Sequence, residues 1–538
     1  MIKYIKLALL LSGLAYQANA AELQSTRFFQ NNGGLMTHLS TARIPDNAAT
    51  AIENITMDDR GQLSKRNGYT VIASTTSMIG FSTWTVNGGG YHTSTSGSSF
   101  FAVVVGTAVY RTSNSYGAWT SITGAVTPTG TSSNQAQTTN LQDELIFCNE
   151  VDKPFYVGAS GNALTISTNT FDTAKTCSTY GSYLVVGNTT EASVGFTSRV
   201  RWSDINNINS FPALNFIDVE PNDGDKIVSL ISYNESIYIF KHRSIYVMQI
   251  TGLDGPDAFI IRPVARNIGA WAKNSVRIIP NEGIAFLAQN TVYLLNDSGL
   301  TPIGDPIQRT FDLVTRSMWT QAVAEVYPHR YQYVIAVSTA GTTNSTVLVY
   351  DYIQHNWTIF DDMNVNMLAQ GEDAGGNNIL LSRDYQATVY KQDNGSVDSP
   401  HGTSMPIVGS YTTGNLMMGG ISSNTNYYIG LPDVTKGFKY LYLYTVGDQN
   451  YTLNVKASYD FSTTQEFNQS VQIGSSGAVY DTGIYDTDLY PGSGYTITRL
   501  ELNRSARTIQ LQFSNSTSGQ IFGLVGWTVV WAPEDYKQ

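Results

Sequence analysis

Apolar positions in the middle of this chain come in short runs, and polar turn residues separate the runs. Residues 229–240, SLISYNESIYIF, and residues 283–295, GIAFLAQNTVYLL, show the pattern clearly. In each, an apolar stretch leads through a short polar turn into a second apolar stretch that carries an aromatic residue. Runs too short for a helix and bounded by Asn, Ser or Gly are typical of β-hairpins. The pattern predicts strands and tight turns from about residue 70 to about residue 400.

The even spacing of these hairpins predicts a particular architecture. Short strands at regular intervals, with periodic glycine and aromatic residues, are typical of β-propellers and large sandwiches. We therefore expect residues 71–400 to form a β-propeller-like repeat array, and at about 40–50 residues per blade they allow about six to eight blades. In residues 349–358, VYDYIQHNWT, an aromatic residue and a polar turn precede Trp357, which we expect to pack between adjacent sheets.

The two flanking segments differ from this middle part. Residues 401–538 contain stretches in which apolar and polar residues alternate, such as residues 452–459 and 508–513. Alternation of this kind predicts strands with one buried face, hence a C-terminal β-sandwich-like domain. Residues 21–70 show weak periodicity, and we expect them to form an irregular N-terminal arm. The predicted fold class is all-β throughout.

The first twenty residues have a pattern of their own. Lys3 and Lys6 precede an apolar stretch, and Ala18-Asn19-Ala20 follows it. These are the three parts of a secretory signal peptide, and the apolar stretch is too short for a comfortable membrane span. Two interpretations stay open: a leader cleaved after Ala20, or an N-terminal helix that the mature protein retains against a neighbour. We expect no stable membrane span elsewhere.

Composition agrees with a strand-rich protein and argues against tight nucleic-acid binding. Charged residues make up 14% of the 538 residues, while Tyr (33) and Gly (47) are abundant. Tyrosine suits strands and glycine suits turns. The net charge is −11, whereas proteins that grip nucleic acid present basic surfaces. An acidic wall is compatible with a conduit that lets DNA pass without binding it.

No residue pattern indicates catalysis. The six histidines are scattered, and the sequence has no nucleophile elbow, phosphate-binding loop or dinucleotide fingerprint. The acidic residues 220–225 are expected to form a turn, because a calcium-binding EF-hand needs a longer pattern. Cys148 and Cys177 form either one disulfide, if the protein is exported, or two buried thiols. We therefore predict no enzyme and no catalytic, cofactor-binding or metal-binding residues.

Several segments, in this order and spacing, resemble the tail nozzle or stabilisation (tail hub) proteins of short-tailed, podovirus-like phages. The segments cover most of the chain and are residues 33–69, with Gly33, Ile44, Pro45, Asp46, Gly61, Lys65, Arg66 and Gly68; residues 201–227, from Arg201-Trp202-Ser203-Asp204 to Asp223-Gly224-Asp225; residues 240–287, with Lys241, Gly269 and Gly283; and residues 504–531, with Arg504 and Arg507.

This resemblance implies a fold and a function. The fold is a propeller with a C-terminal β domain, in a homo-oligomeric, hexameric ring below the portal or adaptor. The ring conducts and retains phage DNA without sequence-specific binding and supports a tail fibre or spike, so the expected location is the virion. We expect residues 59–69 and the C-terminal domain to make subunit contacts, with Arg60, Lys65 and Arg66 as the candidate polar anchors. The alternative for these three residues is solvated charges in a turn.

A second function stays open because phage tail proteins assemble in the host cytoplasm and need no export signal. The signal-like leader and the abundant Tyr and Trp residues fit a secreted or periplasmic β-propeller that binds or processes glycans. The two functions differ in assembly: a nozzle forms rings, whereas a lectin or lyase acts on sugar as a monomer.

Overall fold

A computed structural model describes residues 23–58, 61–73, 86–386, 388–421, 428–430, 432–446, 450–474 and 495–534. The signal-like leader, residues 1–20, and the candidate anchor Arg60 lie outside these described residues. The rest is almost entirely strands, which confirms the predicted all-β fold class. One short α-helix, Gln308–Asp312, is present in this part of the chain. The 3-10 turns found there are Gly255–Asp257, Lys273–Ser275, Asp305–Ile307, Arg316–Gln321, Pro328–Arg330 and Pro400–Gly402.

Seven four-stranded antiparallel sheets follow one another around a ring in the described residues, and we call them blades 1 to 7. The strands of blades 1 to 4, from the innermost outward, are Val86–Thr93, Ser99–Val105, Ala108–Ser113 and Thr120–Ser121; Gln137–Leu141, Glu144–Cys148, Phe155–Gly158 and Leu164–Thr165; Thr173–Tyr180, Tyr183–Glu191, Val194–Trp202 and Phe216–Asp218; and Ile227–Tyr233, Ser236–Lys241, Ser244–Ile250 and Phe259–Arg266. Those of blades 5 to 7 are Arg277–Ile279, Gly283–Leu287, Val292–Asn296 and Gly299–Pro302; Val323–Tyr327, Gln332–Val337, Thr346–Asp351 and Asn356–Phe360; and Met367–Glu372, Asn378–Arg383, Val389–Lys391 and Thr70–Ala73.

Blade 7 closes the ring with a strand from the other end of the propeller. Its outermost strand, Thr70–Ala73, precedes blade 1 in the sequence and pairs with Val389–Lys391. The innermost strand of blade 7 also lies beside that of blade 1. Radial closure leaves only short strand edges, which protects the sheets from unwanted pairing. The predicted propeller-like array is therefore confirmed, with a blade number inside the expected range.

The two ends of the chain form a β-sandwich together. One six-stranded sheet contains Gln24–Phe28, Ile55–Met57, Leu63–Lys65, Lys436–Val446, Tyr495–Ala506 and Gly523–Pro533. The other contains Gly34–Leu35, Ala48–Glu53, Gly409–Thr413, Tyr451–Tyr459, Phe467–Ile473 and Ile509–Asn515. A separate two-stranded hairpin consists of Gly419–Ile421 and Tyr428–Gly430.

The expectation of an irregular N-terminal arm is wrong for the described residues. The arm supplies five strands, and the first of them, Gln24–Phe28, pairs in antiparallel register with Trp527–Trp531 near the end of the chain. Ala48–Glu53 likewise pairs with Gly409–Thr413. Strands this short carry little periodicity of their own, and only distant partners complete their hydrogen bonding. The N-terminal segment and the C-terminal segment therefore belong to the same β-sandwich.

The sandwich and the propeller share a hydrophobic core. Trp319 and Trp357, on the propeller side, belong to the same buried cluster as Tyr411 and Trp527 of the sandwich. Trp357 is 1% exposed, and its indole N–H donates to the carbonyl of Ile303 at 2.7 Å. The sequence-based expectation that Trp357 packs between sheets is therefore confirmed. A continuous core fixes the two domains against each other.

Candidate functional site: the central channel of the propeller

A cavity of about 600 Å³ lies between the innermost strands, and all seven blades line it. Its lining is dominated by amide and hydroxyl side chains. The polar lining residues are Tyr91, Gln135, Gln137, Thr138, Thr139, Asn140, Ser178, Thr179, Ser232, Asn274, Arg277, Glu325, Gln370, Glu372 and Asn378. Consecutive inner-strand residues such as Thr138, Thr139 and Asn140 line the cavity, so residues from both faces of an inner strand contribute to this polar wall.

Side-chain hydrogen bonds join adjacent blades around this wall. They are Tyr91 Oη to Glu372 Oε2 at 3.1 Å, His92 Nδ1 to Asn140 Oδ1 at 3.1 Å, Thr139 Oγ1 to Thr179 Oγ1 at 3.2 Å, Ser178 Oγ to Ser232 Oγ at 3.0 Å, Arg277 Nε to Glu325 Oε2 at 3.1 Å, and Gln370 Nε2 to the Val326 carbonyl at 2.8 Å. We call these six contacts the hydrogen-bond belt. The belt links blade 7 to blade 1, blade 1 to blade 2, blade 2 to blade 3, blade 3 to blade 4, blade 5 to blade 6 and blade 6 to blade 7. It holds the polar groups in fixed positions around the axis.

The turn Lys273–Ser275, between blades 4 and 5, lies across one end of the channel. Lys273 Nζ donates to the carbonyl of Lys175 on blade 3 at 3.0 Å and lies 3.5 Å from that of Cys148 on blade 2. Asn274 Nδ2 donates to Gln135 Oε1 at 3.2 Å, and the Tyr333 hydroxyl of blade 6 donates to the Ser275 carbonyl at 2.8 Å. Because a single turn contacts blades on both sides of the axis, it forms the floor of the channel.

The buried Lys273 ammonium is electrostatically unfavourable. Burial, with a smaller contribution from the charge of Lys175, lowers the pKa of Lys273 to about 7. Transfer of a charged amine out of water disfavours its charged form, and carbonyl hydrogen bonds offset only part of that cost. The floor of the channel therefore contains a group that titrates near neutral pH.

Lys65 lies inside the protein rather than at a subunit surface. The side chain is 1% exposed, and its Nζ donates to Asn515 Oδ1 at 2.7 Å and to the carbonyls of Ile407 at 3.1 Å and Thr517 at 3.3 Å. Burial lowers the pKa of Lys65 to about 8. Its contacts connect the N-terminal strands to the C-terminal half of the sandwich.

Arg66 is likewise an internal anchor. The residue is 3% exposed, and its guanidinium makes two hydrogen bonds to Asp398, at 2.8 and 2.7 Å. Nε also donates to Asn54 Oδ1 at 2.8 Å. The assignment of Lys65 and Arg66 as subunit anchors is therefore corrected, and so is the alternative of solvated turn charges. The sequence shows the charge but not the distant segments that fold over it.

The acidic residues of segment 220–225 all have partners within the chain. Asp223 Oδ2 lies 2.6 Å from Lys241 Nζ, and Glu220 pairs with Arg266 at 2.8 Å. Asp225 accepts hydrogen bonds from the Ser244 hydroxyl at 2.9 Å and the Arg243 amide at 3.0 Å. In the part of the chain that the structure describes, no group of three or more His, Cys, Asp or Glu residues is arranged to hold a metal ion. No helix in that part is long and apolar enough to cross a membrane.

The two cysteines form a disulfide, which decides the question that the sequence left open. Cys148 is on the second strand of blade 2 and Cys177 on the innermost strand of blade 3, with 6.1 Å between their Cα atoms. Both side chains are buried in the hydrophobic cluster between these blades. The disulfide therefore joins two adjacent blades.

Sequence reasoning missed the channel, its hydrogen-bond belt and its floor. Axial residues such as Tyr91, Ser178 and Glu372 lie far apart in the sequence, and each is an ordinary polar residue in a strand. The one sequence feature that could have predicted the channel was a polar residue at an otherwise apolar position of an inner strand. It gains meaning only when the seven strands are placed around one axis.

Comparisons with known proteins assign no family to this chain. The chain matches no family model and no curated protein. Solved structures similar to it include the extracellular domain of the putative one component system BT4673 from B. thetaiotaomicron, at 9% identity and a TM-score of 0.41, covering 76% of this chain and 48% of that one. The chain thus spans about half the length of that structure. Others are the Neurospora crassa Pan2 WD40 domain (10% identity, TM-score 0.36, covering 63% and 98%) and BBS1N in complex with ARL6DN (11%, 0.38, covering 61% and 98%).

Proposed function

We propose that this protein is a non-enzymatic structural component of a short phage tail, a ring-forming nozzle or hub below the portal. One observation carries the proposal: the segments that resemble nozzle proteins contain the buried ion pairs that hold distant parts of the fold together. Arg66 fastens the N-terminal segment to Asp398, and Lys241, in another such segment, is 0% exposed and pairs with Asp223. Buried ion pairs between distant segments stiffen the fold, which suits a protein whose function is mechanical.

The architecture supports a rigid building block. The propeller is closed by its N-terminal strand, and the sandwich shares its hydrophobic core. A closed interior packs like a crystal and transmits load with little deformation. Identical rigid blocks in head-to-tail contact form a ring when the rotation between them closes.

The proposed DNA conduit is the lumen of that ring, not the channel of one propeller. The channel has a volume of about 600 Å³ and the Lys273–Ser275 turn across one end, so it is too small for a duplex. The net charge of −11 suits a lumen wall that repels phosphate. In this arrangement the subunits contact the portal or adaptor above and a fibre or spike at the side.

Electron microscopy of the purified protein, together with mass photometry, tests the proposal. We expect ring particles with the mass of a hexamer, formed by the protein alone or on addition of the portal–adaptor complex. A protein that stays monomeric at micromolar concentration, with and without that complex, contradicts the proposal.

The disulfide favours a second candidate, a secreted or periplasmic propeller that binds glycans. Disulfides persist in oxidising compartments and are rare in the cytoplasm. The Cys148–Cys177 bond is therefore a second indication of export, independent of the signal-like leader. N-terminal sequencing of protein from the periplasm and the cytoplasm distinguishes the candidates: removal of residues 1–20 supports export, whereas an intact Met1 in assembled rings supports the tail function.

A further inference from the structure

The open end of the propeller channel has the volume and the enclosure of a small-molecule site. Its volume of about 600 Å³ lies within the range of roughly 300–1,000 Å³ that is usual for ligand pockets. The Lys273–Ser275 turn closes the opposite end, so a ligand would enter from one side and meet a floor. All of the lining residues belong to the described part of the chain.

The charges that face the channel exclude several ligand classes. The side chains that line the cavity carry one cation, Arg277, and two carboxylates, Glu325 and Glu372, whereas the Lys273 ammonium of the floor is directed at the carbonyls of Lys175 and Cys148. Arg277 is already paired with Glu325 at 3.1 Å, so phosphate or carboxylate ligands would meet net negative charge. An apolar ligand would leave the amide and hydroxyl groups of the wall without partners, which costs free energy. A neutral molecule rich in hydrogen-bonding groups meets neither of these costs.

The wall retains hydrogen-bonding capacity for such a molecule. The Asn378 Oδ1 atom is buried and has no hydrogen-bond partner among the described residues. Glu372 accepts the Tyr91 hydroxyl on one carboxylate oxygen, and a carboxylate accepts several hydrogen bonds.

We propose that the open end of this channel binds a neutral carbohydrate, with one or two sugar rings held by the hydroxyl, amide and carboxylate groups of the wall. A sugar presents donors and acceptors around its whole ring, which matches polar groups arranged around an axis. Glu372 accepts a sugar hydroxyl on the carboxylate oxygen that Tyr91 does not occupy. This site goes beyond the tail function and gives the glycan-binding candidate a location in the fold. It does not depend on ring assembly, because a nozzle subunit and a secreted propeller would both carry the channel.

Saturation-transfer NMR on the purified full chain tests the inference, with D-glucose, D-mannose, N-acetylglucosamine, maltose and lactose as probes and glucose 6-phosphate as the charged comparison. We expect saturable binding of at least one neutral sugar, with weaker binding of glucose 6-phosphate than of glucose. Absence of saturable transfer from all five neutral sugars at millimolar concentration overturns the inference, whatever the oligomeric state.

Two variants locate the binding. Glu372→Gln removes a charge-assisted hydrogen bond and is expected to weaken binding about 10-fold or more. Ser232→Trp places a bulky side chain in the channel and is expected to abolish binding without touching the Tyr91–Glu372 pair. Glu501→Gln, the same change on a carboxylate that is 58% exposed on the sandwich, is the matched control and should bind as the wild type does. Thermal melting checks that each variant is folded; sugar binding unchanged in both channel variants overturns the inference.

Discussion

Arg66 illustrates how the surroundings of a charged residue decide its role. The guanidinium is buried, and both oxygens of Asp398 accept hydrogen bonds from it. Phe360 also lies 5.5 Å from the guanidinium carbon. Removing one partner of a buried pair leaves the other charge without compensation, which costs far more than the pair contributes as a whole.

Arg66→Met is therefore expected to lower the free energy of unfolding by about 3–5 kcal/mol, measured by urea denaturation. Adding Asp398→Leu in the same chain should recover part of the loss, because no unpaired charge then remains. Arg499→Met is the matched control: its partner is Glu501 and both side chains are more than half exposed, so a change below about 1 kcal/mol is expected. Equal losses for the two arginine variants would contradict the buried-pair argument.

Lys273 predicts a specific dependence of stability on pH. Its pKa is lowered to about 7 in the folded protein, against an ordinary value of 10.5. Between these two values the unfolded chain binds a proton that the folded chain does not, so the contribution of Lys273 to stability rises with pH across this range. Below pH 7 the folded state carries the full cost of the buried charge.

Lys273→Met removes this dependence. Thermal melting of both proteins from pH 6.5 to 9.5 should show that the wild type gains stability relative to the variant as the pH rises. A constant difference between the two melting temperatures across this range would show that Lys273 does not titrate there.

At the scale of elements, glycine permits close contact between segments that are distant in sequence. A Cβ atom at Gly68 would lie 1.8 Å from the carbonyl oxygen of Val397. The Gly68 amide also donates to the carbonyl of Gly395 at 2.9 Å. The segment that leads into the closing strand Thr70–Ala73 thus lies directly on the chain that leaves blade 7.

Gly68→Ala is expected to destabilise the protein by about 1–3 kcal/mol, because backbone atoms must move to admit the methyl group. Gly195→Ala is the control, since a Cβ there meets nothing within 4 Å and the change should stay within about 0.5 kcal/mol. Urea denaturation compares the two variants, and a Gly68→Ala protein as stable as the Gly195→Ala protein would refute the close approach.

The disulfide adds a covalent connection between two blades. Cys148 and Cys177 are 29 residues apart, so closing that loop in the unfolded chain corresponds to about 3–4 kcal/mol of stability. The Cys148→Ala, Cys177→Ala double variant should lose about this amount in urea denaturation. Mass spectrometry under non-reducing conditions is the direct check, and two free thiols in the native protein would contradict the bond.

At the scale of the whole molecule, the propeller and the sandwich are coupled through one core. Asn54 in the N-terminal segment donates its amide to the Ile359 carbonyl of blade 6 at 2.8 Å, and the Thr358 hydroxyl donates to the Ile55 carbonyl at 2.8 Å. The buried cluster continues from Trp357 into the sandwich. Neither domain retains its full core without the other.

We therefore expect calorimetry to show one cooperative unfolding transition for both domains. Trp357→Ala, in the shared core, should lower its midpoint, because truncation of a buried tryptophan costs about 3–5 kcal/mol. Two resolved transitions, only one of them shifted in the variant, would show that the domains unfold independently.

Much of the fold follows from local patterns in the sequence. Hairpins such as Ser236–Lys241 with Ser244–Ile250 form where an apolar run, a polar turn and a second run occur together. Their pairing spans a few residues, so alternation and turn chemistry are enough to predict it. The repetition of the unit predicted a propeller, and the resemblance to tail nozzle proteins predicted a structural role, which ring formation tests.

The tertiary structure alone decided which distant segments meet. Thr70–Ala73 completes blade 7, Gln24–Phe28 joins the final strand, and Lys65 and Arg66 are buried by residues more than 300 positions away. The channel wall arises in the same way, from residues contributed by every blade, and its floor from the single turn Lys273–Ser275. A sequence pattern shows which face of a strand is apolar. The burial of a charge depends instead on contacts between segments far apart in the chain, and such contacts produce no periodic pattern in the local sequence.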